Sequence, residues 1–352
     1  MVECWSFSLT GIVLCTNRPH FFSQAKRGTL KSLETLSAVL KCVGVPLLIL
    51  LCTLPKAVAD EPPITGIAFA PDGQSVVACS QIGLQVYDWP SLKPLKTIAC
   101  SASNLHAIVF SPDGKRLAVG GGEPSESGTV EVFLWPKGKL LATFACHSDS
   151  IRSLAWLDDS RLVTSSVDRD INILDLAKKT TTRSFAGHSR SVDAVCMLKD
   201  GKTLVSGGAD QSVRVWDVES GKLIRSLRQH TQTVNALALR PASHGLPMVA
   251  SCSADRTIRF WQPTIGRMVR YIRLKSEPLA IAWDRKGSHI VASCLDGRVR
   301  IVNADTLDVV QTLPAIKGWA YSIAIHPTED NVLVGGSSGQ IHKLSTKPAS
   351  SK

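Results

Sequence analysis

From residue 64 onward, apolar and polar positions alternate in short segments such as ITGIAFAP, LHAIVFSP, IRSLAWLD, VNALALRP and AYSIAIHP. Period-two alternation of this length predicts strands buried on one side. Several are followed by a tight turn, Pro71-Asp72-Gly73, Pro112-Asp113-Gly114, Asp200-Gly201 or Lys286-Gly287, where Gly supplies positive φ and Asp bonds its own backbone. A strand of small and β-branched residues comes next (RLVTSSVD, TLVSGGAD, MVASCSAD). After another turn come a β-branched strand (INILDL, VRVWDV, IRFWQP, VRIVNA) and an outer strand such as KLIRSLRQH. The unit recurs seven times. Its first inward apolar position falls at Ile64, Leu105, Ile151, Val192, Val234, Pro278 and Ala320, at spacings of 41, 46, 41, 42, 44 and 42 residues. Four short strands in a period of roughly 40 to 45 residues make one propeller blade. The pattern therefore predicts an all-β fold, a seven-bladed β-propeller of four-stranded antiparallel blades.

Gly187-His188 and Trp216-Asp217 in the fourth unit carry a further signal. With them the chain resembles the WD-repeat (G-beta-like) β-propeller family over residues 64–348. The resemblance implies a hydrogen-bonded set in each complete blade: a His before the first strand, a Ser or Thr on the second, an Asp in the next turn and a Trp on the third. Blade four supplies His188, Ser206, Asp210 and Trp216, and blade five His230, Ser251, Asp255 and Trp261. Blade three keeps His147, Thr164 and Asp168 but has Leu174 where the family has Trp. The chemistry of such a set is structural, because a buried imidazole needs both nitrogens paired. A catalytic triad of His188, Asp210 and Ser206 is disfavoured: the set repeats, and nothing beside it forms an oxyanion hole. Blades one, two, six and seven depart from the pattern, with Tyr87-Asp88 in place of Trp-Asp and Val302 or Leu344 in place of Trp. They are expected to rely on packing, which puts the weaker part of the ring across blades six, seven and one.

Blade seven runs AYSIAIHP, NVLVGGSS and QIHKLS before TKPASSK, so its outer strand is expected to be missing. In the family a strand from the N-terminus usually completes the last blade, and the spacing places it near residues 52–58. Those residues compete for another role. Residues 43–54, VGVPLLILLCTL, form an apolar run between Lys41 and Lys56, followed by Ala57-Val58-Ala59 and Asp60-Glu61-Pro62-Pro63. A basic flank, a short apolar segment, a small-x-small site and a polar start are the marks of a secretory signal. The run is too short to span a bilayer. The expected division is a leader over 1–59 cleaved after Ala59, a propeller over 60–348 and a tail over 349–352. Export to a periplasmic or extracellular compartment follows, with a tether through an uncleaved leader as the alternative. The 42 residues before the apolar run exceed an ordinary n-region and suggest a translation start near Leu30 or Leu33.

Charge then changes meaning. The chain carries 40 basic and 29 acidic residues, a net +11. Six of the basic and two of the acidic residues lie before residue 60, which leaves +7 without a single basic cluster. That falls short of a nucleic-acid footprint, and no nucleic-acid partner is expected. Of ten Cys, six follow the leader (Cys79, Cys100, Cys146, Cys196, Cys252, Cys294) without a CxxC pair, so metal knuckles and thioredoxin-type chemistry have no support. Most suit a buried core. An exported chain forms disulfides, and Cys100 with Cys146 is the pair to watch.

No P-loop, HExxH or metal-ligand spacing occurs, and no cofactor, metal or catalytic residue is expected. Gly335-Gly336-Ser337-Ser338-Gly339 matches GxSxG only formally, because it falls in a hairpin turn and not on a strand-to-helix elbow. The segment GGGEPSESG over 120–128 is a lengthened turn without a helix behind it, which argues against a phosphate cradle. In the resembled family the strand-entrance face is the usual partner surface. The residues flanking each first inward position map there, and His106, Arg152, Asp193, Asn235, Trp319 and Tyr321 are the candidates; aromatics and Arg carry much interface energy. Trp319 and Tyr321 could equally plug the junction of blades seven and one. The leading expectation is a monomeric, non-enzymatic exported scaffold for protein contacts. Its rival is an exported propeller enzyme or small-ligand binder with a site in the central channel, marked by His106, Arg152, Asp193, Asn235 and Tyr321 converging on a metal.

Overall fold

A computed structural model describes residues 61–241 and 245–346. The described chain forms seven antiparallel sheets in sequence order, six of four strands and a last one of three. This is a seven-bladed β-propeller. Blade one shows the plan: Gly66–Phe69 innermost, then Ser75–Ser80, Gly83–Asp88 and Pro94–Ile98 outward. The innermost strands of later blades are Ala107–Phe110, Ile151–Trp156, Val192–Met197, Val234–Leu239, Pro278–Trp283 and Ala320–Ile325, each packed against the next and the last against the first. All seven first inward positions are buried. The segment that matches GxSxG lies in a short 3-10 turn, Ser337–Gly339, between the last two strands.

The second strands explain why small residues dominate them. Both of their faces are covered by neighbouring blades, so Leu162–Ser166 and Leu204–Gly208 are wholly buried. A Cβ on Gly207 would lie 2.6 Å from Val234 of the next blade, and one on Gly120 would lie 2.6 Å from Ile151. Gly335 of blade seven meets Ile64 of blade one in the same way, at 2.5 Å. The closing junction is therefore packed like the others. Ile64 also donates its N–H to the Gly336 carbonyl at 3.0 Å, and Ser322 Oγ donates to the Ile64 carbonyl at 3.3 Å. Residues 52–58, the expected closing strand, lie outside the described residues, as do the leader and the tail from residue 347.

Among the described residues, side chains also latch six of the seven blades to the next through backbone carbonyls. Near the first turns, Arg116 donates to Asp159 O at 2.9 Å, Arg240 to Gly287 O at 2.6 Å, and Lys199 and Arg285 to Pro241 O and Thr328 O. Blade seven uses a histidine there: His326 Nε2 donates to Gly73 O of blade one at 3.1 Å, while Nδ1 accepts the Glu329 N–H at 2.8 Å. His326 is buried between Phe69 and Trp89. On the outer strands Lys96, Arg225 and Arg270 donate to Pro136 O, Thr264 O and Asp305 O of the following blade. Much of the basic excess is thus spent on tying the ring.

The six described thiols are free. Cys100 and Cys146 do not pair: Cys100 packs with Leu84, Ile98 and Leu105, whereas Cys146 packs with Val130, Ile151 and Leu174 in a separate cluster. Burial pushes both thiols up to about 12.

Candidate functional site

Two sets of polar side chains qualify as a site: the His-centred groups inside the blades and the residues at the mouths of the innermost strands. In blade four, His188 Nδ1 donates to Asp210 at 2.9 Å, Nε2 faces Ser206 Oγ at 2.7 Å, and Trp216 Nε1 donates to Ser206 Oγ at 2.8 Å. Blade five repeats this with His230, Asp255, Ser251 and Trp261 at 2.8, 2.7 and 2.7 Å. Blade three has His147, Asp168 and Thr164, both contacts at 2.8 Å, and its Leu174 is fully buried where blades four and five put an indole. The serine hydroxyl accepts from the indole and so gives its proton to the imidazole, which fixes Nδ1–H toward the carboxylate. Each carboxylate takes a further backbone N–H, from Ser148, Ser189 or Thr231. Burial alone would raise Asp255, but the Thr257 hydroxyl and His230 bond it and hold it down to about 2. Burial lowers His230, so the pair is a neutral imidazole beside a carboxylate. No hydroxyl in these sets is left free to attack a substrate.

Sequence reasoning missed a further member. The third strand carries an inward polar residue: Asn172, Arg214, Arg259 and Arg300 in blades three to six. Arg214 reaches Asp210 at 3.3 Å and Arg259 reaches Asp255 at 3.7 Å. Blade six lacks the His and Trp, yet Arg300 grips Asp296 through both terminal nitrogens at 3.0 and 2.6 Å. Blade two puts a buried Glu131 at the same position, where it accepts the N–H and hydroxyl of Ser101. Blades two and six thus replace the set with other polar clamps and do not rely on packing alone. The signal was an Arg alternating within apolar strands, VRVWD and VRIVN.

The innermost strands enclose a cavity of about 700 Å³ in the centre of the ring. Each blade contributes the residue after its first inward position: Thr65, His106, Arg152, Asp193, Asn235, Leu279 and Tyr321. Five of the six candidate partner-face residues therefore meet in one concavity. Arg152 Nε pairs with Asp193 at 3.4 Å, and Asn235 Nδ2 donates to Glu277 at 3.0 Å and to Pro278 O at 2.9 Å. Burial and the Arg152 charge push His106 down to about 4, and burial raises Asp193 despite Arg152. Among the described residues, no three His, Cys, Asp or Glu side chains are grouped to hold a metal.

Trp319 stands apart. It does not line the cavity, is 52% exposed, and stacks edge-on against Tyr321 with ring centroids 5.8 Å apart. Its backbone is pinned: Trp319 N–H donates to Ser337 Oγ at 3.0 Å, and Ser337 N–H to Trp319 O at 3.0 Å. About half of the indole is thus open to solvent.

Four segments, residues 92–133, 138–175, 179–217 and 221–262, match the family model described as WD domain, G-beta repeat. These segments are WD40 repeats. Each WD40 match starts on or just before the outer strand of one blade and ends on the third strand of the next. The four WD40 repeats and the seven-bladed ring together support the WD-repeat propeller family. WD40 propellers commonly mediate protein interactions and are typically non-catalytic. No curated protein matches the chain.

Proposed function

We propose that this chain is an exported, non-catalytic propeller that binds a protein partner on its strand-entrance face, with Trp319 and Tyr321 as the anchor. The observation that carries the reading is the exposed Trp319 held on a pinned backbone against Tyr321. A large apolar side chain on a rigid base contributes contact area at little entropic cost, and Trp and Tyr are enriched among residues that dominate interface energy. The hydroxyls of the His-centred sets are consumed in holding the blades, which supports a scaffold over an enzyme. Export rests on the leader grammar of residues 41–60, and the charge balance beyond it supports no nucleic-acid partner.

The test substitutes Trp319→Ala and Tyr321→Ala together. Partner retention on the full chain should be lost while the melting temperature stays within a few degrees of the unsubstituted protein. Collapse of the melting temperature with retained binding would mean the pair is a structural plug. Export is tested separately by N-terminal sequencing of the mature protein: a start at Asp60 agrees, and an intact residue 50 contradicts it.

A further inference from the structure

The central cavity has an uneven lining that the scaffold reading does not use. Going round the ring, Thr65 and Gln81 of blade one are followed on blades two to five by the imidazole, charged and amide groups of His106, Arg152, Asp193 and Asn235. Across the channel blades six and seven present Leu279 and Tyr321. At about 700 Å³ the space falls within the range that encloses a drug-sized molecule, and concavities of mixed apolar and polar lining are where such molecules bind.

Asn235 is satisfied by Glu277 and Pro278, but two donors are not satisfied. Neither ring nitrogen of His106 has a hydrogen-bond partner among the described residues. Arg152 meets Asp193 through Nε, its terminal amino groups make no hydrogen bond among the described residues, and its side chain is 40% exposed to the channel. Both side chains line the cavity, so these donors are available to a ligand there. Blade order puts Arg152 between His106 and Asp193.

We infer that this cavity binds a small organic carboxylate, its oxygens on the Arg152 amino groups and the His106 N–H, its apolar body toward Leu279 and Tyr321. The planar fork of Arg matches a carboxylate in two parallel bonds. A neutral imidazole, which burial and Arg152 enforce, still has one N–H to give at neutral pH. Cations are repelled by Arg152, and a dianion would meet Asp193 on the far flank. One negative charge on an apolar frame is what the lining fits.

Benzoate is the probe, titrated into the full chain and followed by calorimetry and by the imidazole proton resonances. Saturable binding is expected, about tenfold or more tighter than for benzamide, which has the same shape without the charge, and than for benzamidine, which reverses it. The His106 resonance should move during the titration, and Arg152→Gln should abolish the preference for benzoate. Benzoate no tighter than benzamide, a stationary His106 resonance, or benzoate affinity unchanged in Arg152→Gln would each overturn the inference. The three compounds are compared on the unsubstituted protein, so the result stands even if Arg152→Gln folds poorly. No protein partner takes part, so its outcome is separate from that of the Trp319 reading.

Discussion

Ser251 shows how much rests on one hydroxyl. It accepts from Trp261 Nε1 at 2.7 Å and faces His230 Nε2 at 2.7 Å in a fully buried place. Ser251→Ala leaves both ring groups without a partner, and should cost about 2 to 4 kcal/mol in urea denaturation, since each orphaned buried polar group costs roughly 1–3 kcal/mol. A loss below about 0.5 kcal/mol would show the set to be ornamental. The same burial sets a pH dependence. His106 titrates near 4 and His230 is also lowered in the folded protein, against 6.5 for a free imidazole. Unfolded chains therefore take up protons first as the pH falls. Stability should be level above about pH 7 and decline from 6.5 toward 4. Urea midpoints at pH 7.5 and pH 5.0 check this; equal midpoints would contradict it. Asp255, held near 2, contributes across that whole interval and is lost only in stronger acid.

At the scale of the blade, alternation and turn chemistry made the strands legible. ITGIAFAP announces both a buried face and the Pro-Asp-Gly turn that ends it, and the structure puts an innermost strand at Gly66–Phe69. The polar clamps were less legible because they depend on what lies across a blade boundary. Arg300 is a charge in an apolar strand until Asp296 is seen beside it, and Arg240 becomes a latch only when Gly287 of the next blade is in reach. Glycines give a test of how alike the boundaries are. Gly207→Ala would press a methyl group onto Val234, and Gly335→Ala onto Ile64 and Ser322. Overpacking a dense core costs typically about 1–3 kcal/mol. The two substitutions should destabilise the chain to within about 1 kcal/mol of each other, measured by urea denaturation. A much smaller loss for Gly335→Ala would show a looser seam between blades seven and one, which is where the sequence alone placed the weaker part of the ring.

For the whole molecule, the ring and its centre were legible at different depths. Spacings of 41 to 46 residues foretold seven blades, and a shared position after each inward apolar residue was enough to bring His106, Arg152, Asp193, Asn235 and Tyr321 to one channel. Trp319, two residues before Tyr321, falls outside it: the strand begins only at Ala320, so Trp319 precedes the pleat that aims Tyr321 into the channel. That strand start separates a channel from a rim and leaves the indole where a partner can reach it. The most direct measurement replaces residue 319 with a photo-cross-linking amino acid and irradiates the protein in its native compartment. Val310, 51% exposed on the outer strand of blade six, is the control for exposure alone. The account predicts a discrete protein adduct from position 319 and none from position 310. No adduct at 319, or the same adducts from both positions, would contradict it.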